Sequence, residues 1–212
     1  MTNDAFNSLL NECVRHDLSN AIFSIQGMME IIDEEIADEK RKKIIWNQLT
    51  RATNVINLWR KLDRAGKPSW QDLDTMLLRI KLEAGVSPLM LVDVPALKIN
   101  ANPLLNFVFS NLIDNTVRYS QKEDVKIKIS GEVIGRNLLI IYEDNGIGIP
   151  DQDKERIFSQ GFGKNTGLGM FFTREILSLM GSTIIENGVP GQGVRFEIRM
   201  PEDVFKTSDG DL

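Results

Sequence analysis

Asn111, Asn115 and Arg118 stand at i, i+4 and i+7, so a helix through them carries two amides and a guanidinium on one face. An amide oxygen is a ligand for a hard cation such as Mg²⁺, and a guanidinium grips phosphate. The other side of that helix is apolar, with Leu105, Phe109, Leu112 and Ile113. Further along, Glu143 and Asp144 lead into Gly146, Gly148 and Pro150. A carboxylate fixed at a strand end can accept a hydrogen bond from an exocyclic amine, and the glycines let a ligand come close to the backbone. A third stretch holds Gly161, Gly163, Lys164, Thr166, Gly167, Leu168 and Gly169 and opens onto an apolar run. A helix starting there would turn its first N–H groups toward phosphate. The stretch is not a Walker A loop, because Gly163 and Lys164 are followed by Asn165, and its spacing misses G-x-G-x-x-G. Taken singly, the three have plainer readings: a solvated helix face, an ordinary D-N-G turn and a flexible loop.

The elements that would carry these groups follow from periodicity. Asn102 can cap a helix with Pro103 in its first turn, and that helix is predicted to run to about residue 119. Alternation at 125–129 predicts a half-buried strand, a turn is expected at 135–137, and a second strand at 137–143. A helix is predicted over 169–180, ended by Gly181, with strands at 183–186 and 194–200 flanking a turn at 188–191. Upstream, 73–82 reads as helical and 87–94 as extended. Residues 202–212 are polar and read as a disordered tail.

Gly66 and Pro68 mark 64–70 as a linker. Two amphipathic helices precede it. One runs through Leu10, Cys13 or Val14, Leu18, Ala21, Ile25, Met28 and Ile32, the other through Ile45, Leu49, Ala52, Ile56, Trp59 and Leu62. The charge run at 33–43 is their solvated bend. A hairpin of about 60 residues cannot bury both stripes, whereas two hairpins paired as a four-helix bundle can. A homodimer through residues 1–66 is therefore expected. The organisation is α+β: a helical hairpin at 1–66, a mixed domain at 67–201 and a tail at 202–212.

Composition narrows the class. The 212 residues include 25 Lys+Arg and 30 Asp+Glu, a net charge of −5, with 42% hydrophobic residues, as in a soluble globular protein. No basic block suggests a nucleic-acid partner. No apolar run reaches the roughly 20 residues of a membrane helix, and no secretory leader follows Met1, so a cytoplasmic chain without membrane contact of its own is expected. Cys13 is the one cysteine and His16 the one histidine. An internal disulfide and a Cys/His zinc cluster are thereby excluded. Cys13, the tryptophans Trp46, Trp59 and Trp70, and Met28, Met29 and Met90 read as packing residues of core, bundle and linker.

In their order and spacing, the three polar stretches resemble the GHKL (Bergerat) ATP-binding fold of histidine kinases, type II topoisomerases, heat-shock chaperone ATPases and mismatch-repair ATPases, over roughly residues 85–201. Residues 111–119 look like the N box. Asp144, Gly146 and Gly148 look like the G1 box, Ile157 and Phe158 are similar to the F box, and Gly167, Leu168, Gly169 and Met170 to the G2 box. The resemblance implies a two-layer α/β sandwich that binds ATP with Mg²⁺. It assigns Asn115 to Mg²⁺ and Asp144 to the adenine amine. Asn111, Arg118 and Lys164 would serve phosphates or the metal shell, residues 161–169 a short mobile lid, and Tyr119 the flank of base or ribose. Thr116 departs from the small residue common after the second Asn, and Phe171 with Phe172 is bulkier than usual after G2.

Against that background His16, Asp17 and Asn20 resemble the H box of two-component histidine kinases, in an H-D-x-x-N form with no proline after it. A lone helical histidine is otherwise a surface or core residue. The resemblance makes His16 the phosphoacceptor, and Asn20 the group that orients water when a partner response regulator is dephosphorylated. Neutral imidazole offers one lone pair, and an adjacent carboxylate can hold the other N–H and take its proton. Asp17 is the candidate base, although neighbouring side chains diverge on a helix. Together these features describe the cytoplasmic core of a sensor histidine kinase, either a fragment of a larger sensor or a kinase that takes its signal from another protein. Three rivals remain: a GHKL-type serine protein kinase, a dimeric signalling scaffold with a vestigial ATP site, and a topoisomerase-type clamp, for which the chain lacks transducer length.

Overall fold

The computed structural model describes residues 68–83, 89–101, 104–162 and 167–207, together with Asn20 and Ser24, both helical. The chain divides into two compact units, one of residues 1–65 with 163–166 and one of 66–162 with 167–212. The hairpin, its bend, His16 and Asp17 lie outside the described residues. The second unit is described below.

Its order is β1 (Ser69–Asp72), α1 (Leu73–Glu83), β2 (Leu89–Asp93), β3 (Leu97–Ala101), α2 (Leu104–Tyr119), β4 (Lys126–Ile134), β5 (Asn137–Asp144), two short 3-10 turns, α3 (Gly169–Leu179), β6 (Thr183–Glu186), β7 (Arg195–Pro201) and β8 (Phe205–Thr207). Five strands form one sheet in the order β2-β4-β5-β7-β6, parallel only between β2 and β4. This mixed sheet with helices packed against it is the expected α+β sandwich.

Local sequence explains each layer. In α2, Leu105, Val108, Phe109, Leu112, Ile113 and Thr116 are buried, the i, i+3, i+4, i+7 stripe of a helix lying on a sheet. In β5, Leu138, Ile140 and Tyr142 are fully buried. Their partners across the ladder include Met200, Ile198 and Phe196 of β7. Because side chains alternate along a strand, Asp144 points to the same face as Tyr142, under the helices. The β4–β5 hairpin closes through Gly135 and Arg136, with Ile134 opposite Asn137, and Gly135 adopts a φ of 60°, as such short turns require. β4 runs to Ile134, past the predicted end at 129.

Two expectations are corrected. The segment read as linker contributes β1, which pairs antiparallel with β3, Trp70 opposite Asn100; the Trp70 ring stacks under the Lys206 ammonium at 4.3 Å. The tail is also ordered as far as residue 207. β8 pairs with β3, Ile99 opposite Phe205, and Val204 and Phe205 are buried. A three-stranded sheet β1-β3-β8 results, against which α1 packs its stripe of Leu73, Met76, Leu77 and Ile80. The cause is burial: two adjacent apolar residues in a polar segment find a core that lies far away in sequence. Phe205→Ala is expected to cost about 3 kcal/mol or more, read as a melting temperature lower by roughly 10 °C. A frayed tail would leave it unchanged.

Candidate functional site

Asp144 is the best-held carboxylate of the unit. Its Oδ1 accepts the N–H of Gly146 at 2.9 Å and of Val194 at 3.0 Å. Its Oδ2 accepts the Thr116 hydroxyl at 2.6 Å, and the Tyr142 hydroxyl lies 2.7 Å from the same Thr116 oxygen. Its own N–H reaches the Val194 carbonyl at 3.1 Å. The carboxylate is thus fixed by α2, β5 and the β6–β7 loop together. Burial pushes the Tyr142 phenol far above its usual range, so it stays a donor.

The glycines around it are close-approach positions. A Cβ on Gly146 would stand 3.0 Å from Ser120 Cα and 3.1 Å from Asp144 Oδ1. Gly193 is tighter, with a φ of 97° and a Cβ position 1.9 Å from the Asp144 carbonyl oxygen. Sequence reading passed over Gly193; the recurrence of Gly188, Gly191 and Gly193 in one turn was the available signal. Asn145 was also passed over. Its amide accepts from Lys126 N at 2.9 Å and donates to Asp124 O at 2.9 Å, tying the loop to the start of β4.

The β6–β7 loop has an anchor of its own. The buried Glu186 accepts the N–H of Gly188 at 3.0 Å and of Arg195 at 3.2 Å through Oε1. Lys154 lies 3.6 Å from its Oε2 and donates to the Gly188 carbonyl at 2.6 Å. The Lys154 ammonium titrates higher than usual, first through its hydrogen bond with Asp151. Gly191 N–H meets Ile147 O at 2.8 Å, so the loop seats directly on the glycine turn after Asp144.

Asn111 and Asn115 lie half-buried between α2 and α3. Asn111 donates to Thr173 Oγ1 at 3.1 Å and Asn115 to the Met170 sulfur at 3.2 Å. Committing the NH₂ groups in this way leaves the amide oxygens as the atoms that can meet a cation. Gly169 opens α3 against Asn111, and a Cβ there would stand 2.3 Å from Asn111 Oδ1. Arg118 and Tyr119 are exposed at the end of α2. Phe158 is buried, edge-on to Phe196 with centroids 6.3 Å apart, and the Arg174 guanidinium sits 4.0 Å over its ring. Gly161 and Gly167 are joined by a 3.2 Å backbone hydrogen bond and both have positive φ; Gly163, Lys164 and Thr166 between them lie outside the described residues. Asn20 is helical and exposed in the other unit. Among the described residues there is no group of three or more His, Cys, Asp or Glu side chains that could hold a metal. No described helix is long and apolar enough to cross a membrane.

Residues 100–204 match the family described as histidine kinase-, DNA gyrase B-, and HSP90-like ATPase, and this domain belongs to it. Within the family it is a catalytic domain of the sensor histidine kinase kind. The chain is 31% identical over 114 residues to the sensor protein kinase WalK of Staphylococcus epidermidis, covering 49% of this chain and 19% of WalK. It is 27% identical over 226 aligned positions to the sensor protein KdpD of Escherichia coli, covering 92% of this chain and 24% of KdpD. The chain therefore spans about a fifth to a quarter of these relatives. Among solved structures, histidine kinase ThkA in complex with the response regulator protein TrrA shares the fold, with a TM-score of 0.59 and 22% identity over 95% of this chain and 64% of that one.

Proposed function

We propose that the protein is an ATP-dependent histidine kinase that phosphorylates its own His16 and passes the phosphoryl group to an aspartate of a response regulator. The arrangement around Asp144 carries this reading. Its Oδ1 is filled by two backbone N–H groups, and Oδ2 keeps one acceptor position for the exocyclic amine of adenine. Polyphosphate would lie by the start of α3, beside Asn111 and Asn115, with Arg118 and Lys164 as further cationic groups. Mg²⁺ held by Asn115 would neutralise charge on the phosphates. The His16 lone pair forms the N–P bond as the bridging O–P bond breaks, the electron pair leaves with ADP, and Asp17 takes the imidazole proton.

The match to the sensor protein KdpD covers 92% of the chain and so extends into residues 1–66, which in this reading form a hairpin dimer that presents His16, and the ThkA–TrrA complex supports a response regulator as partner. Asn20, one turn beyond His16, would orient water for dephosphorylating that partner. The test is incubation of the full chain with Mg²⁺ and γ-labelled ATP. The expected label is lost in acid and kept in base, as for a phosphoramidate. Acid-stable label points instead to a serine kinase, and no label with no bound ATP points to a scaffold.

A further inference from the structure

The Thr116 hydroxyl has one proton and two neighbours. Asp144 Oδ2, at 2.6 Å, can only accept, so Thr116 donates to the carboxylate and the Tyr142 phenol, at 2.7 Å, donates to Thr116. Neither group can turn to water, since Thr116 is 3% and Tyr142 0% exposed. The direction of this relay is fixed by its surroundings. A carboxylate has about four acceptor positions. Two on Oδ1 take the N–H groups of Gly146 and Val194, and Thr116 takes one on Oδ2.

We propose that Thr116, backed by Tyr142, is a positioning residue that sets nucleobase choice: it holds the Asp144 carboxylate in one orientation with one acceptor position left for the base. The inference rests on the reading of Asp144 as the base-recognising group. A 6-amino purine donates to that position. A 6-oxo purine would set its carbonyl oxygen against the carboxylate. Without the Thr116 hydroxyl, Oδ2 has two open positions and one anchor fewer, so the carboxylate can rotate or bridge through water to a carbonyl.

The experiment titrates ATP and ITP into the full chain as wild type, Thr116→Ser, Thr116→Val and Thr116→Val/Tyr142→Phe, with a melting curve for each. Thr116→Val should weaken ATP about tenfold and narrow the ATP-over-ITP preference by a similar factor, the range of one hydrogen bond to a charged group. Thr116→Ser should retain the preference. Thr116→Val also strands the Tyr142 hydroxyl in the core, so its melting point should fall. The double variant removes that stranded group and should recover the melting point but not the preference. A folded double variant that still prefers ATP as wild type does overturns the role of Thr116 and leaves the nucleotide reading intact. A wild type that binds neither nucleotide overturns both.

Discussion

Replacing His16 by glutamine should abolish labelling of the chain by γ-labelled ATP while leaving nucleotide affinity unchanged. The effect is all-or-none because His16 is the only imidazole in the molecule, and a glutamine amide has no basic lone pair to attack phosphorus. Glutamine is a good helix former, so the predicted hairpin helix should survive. Affinity should hold because His16 is not among the proposed nucleotide ligands, of which Asn111, Asn115 and Asp144 lie on α2 and β5. Label retained in His16→Gln would end the assignment of the acceptor. Label and affinity lost together would mean that the substitution damaged the fold, and melting curves separate that case.

Gly193→Ala should be the most damaging small substitution in the described unit. The added methyl would enter at 1.9 Å from the Asp144 carbonyl oxygen and 3.0 Å from its Oδ1, on a backbone with φ of 97°. Two hydrogen bonds run through the next residue, Val194 N–H to Asp144 Oδ1 and Asp144 N–H to Val194 O. Relief of the clash requires the loop to lift, and both bonds then go. Left-handed strain costs about 1–2 kcal/mol and overpacking about 1–3 kcal/mol. Roughly 3 kcal/mol in total is a large part of a typical domain's stability. Nucleotide affinity should fall with it, because the carboxylate loses one of its three anchors. Gly191→Ala is the control: its φ is 87°, yet nothing lies within 4 Å of the new methyl. It should show the dihedral cost alone, about 1–2 kcal/mol. Equal melting points for the two variants would refute the close approach at Gly193.

The parts of the site that were legible are those set by short-range periodicity. The apolar stripe of α2 and the amides beside it repeat at helical spacing, so Asn111 and Asn115 could be placed from neighbours three and four residues away. Asp144 was legible from its place between a β-rich run and Gly146. Corrections fell where a residue's environment comes from far along the chain. β1 is too short to show alternation, and β3 and β8 meet with Leu97 opposite Thr207, a pairing that no local pattern encodes. Thr116 looked like a departure from a small residue, and only the approach of α2 to β5 shows its hydroxyl on Asp144. The contact of Gly193 with Asp144 and the Lys154–Glu186 pair depend on the same long-range approach. Amino-acid order determined which groups are present and which face of its own helix or strand each occupies, since that depends on backbone geometry a few residues long. Which distant atoms come within 3 Å of one another was decided by how the sheet, α2 and the β6–β7 loop close over the core, because burial and hydrogen-bond satisfaction are properties of the assembled layers.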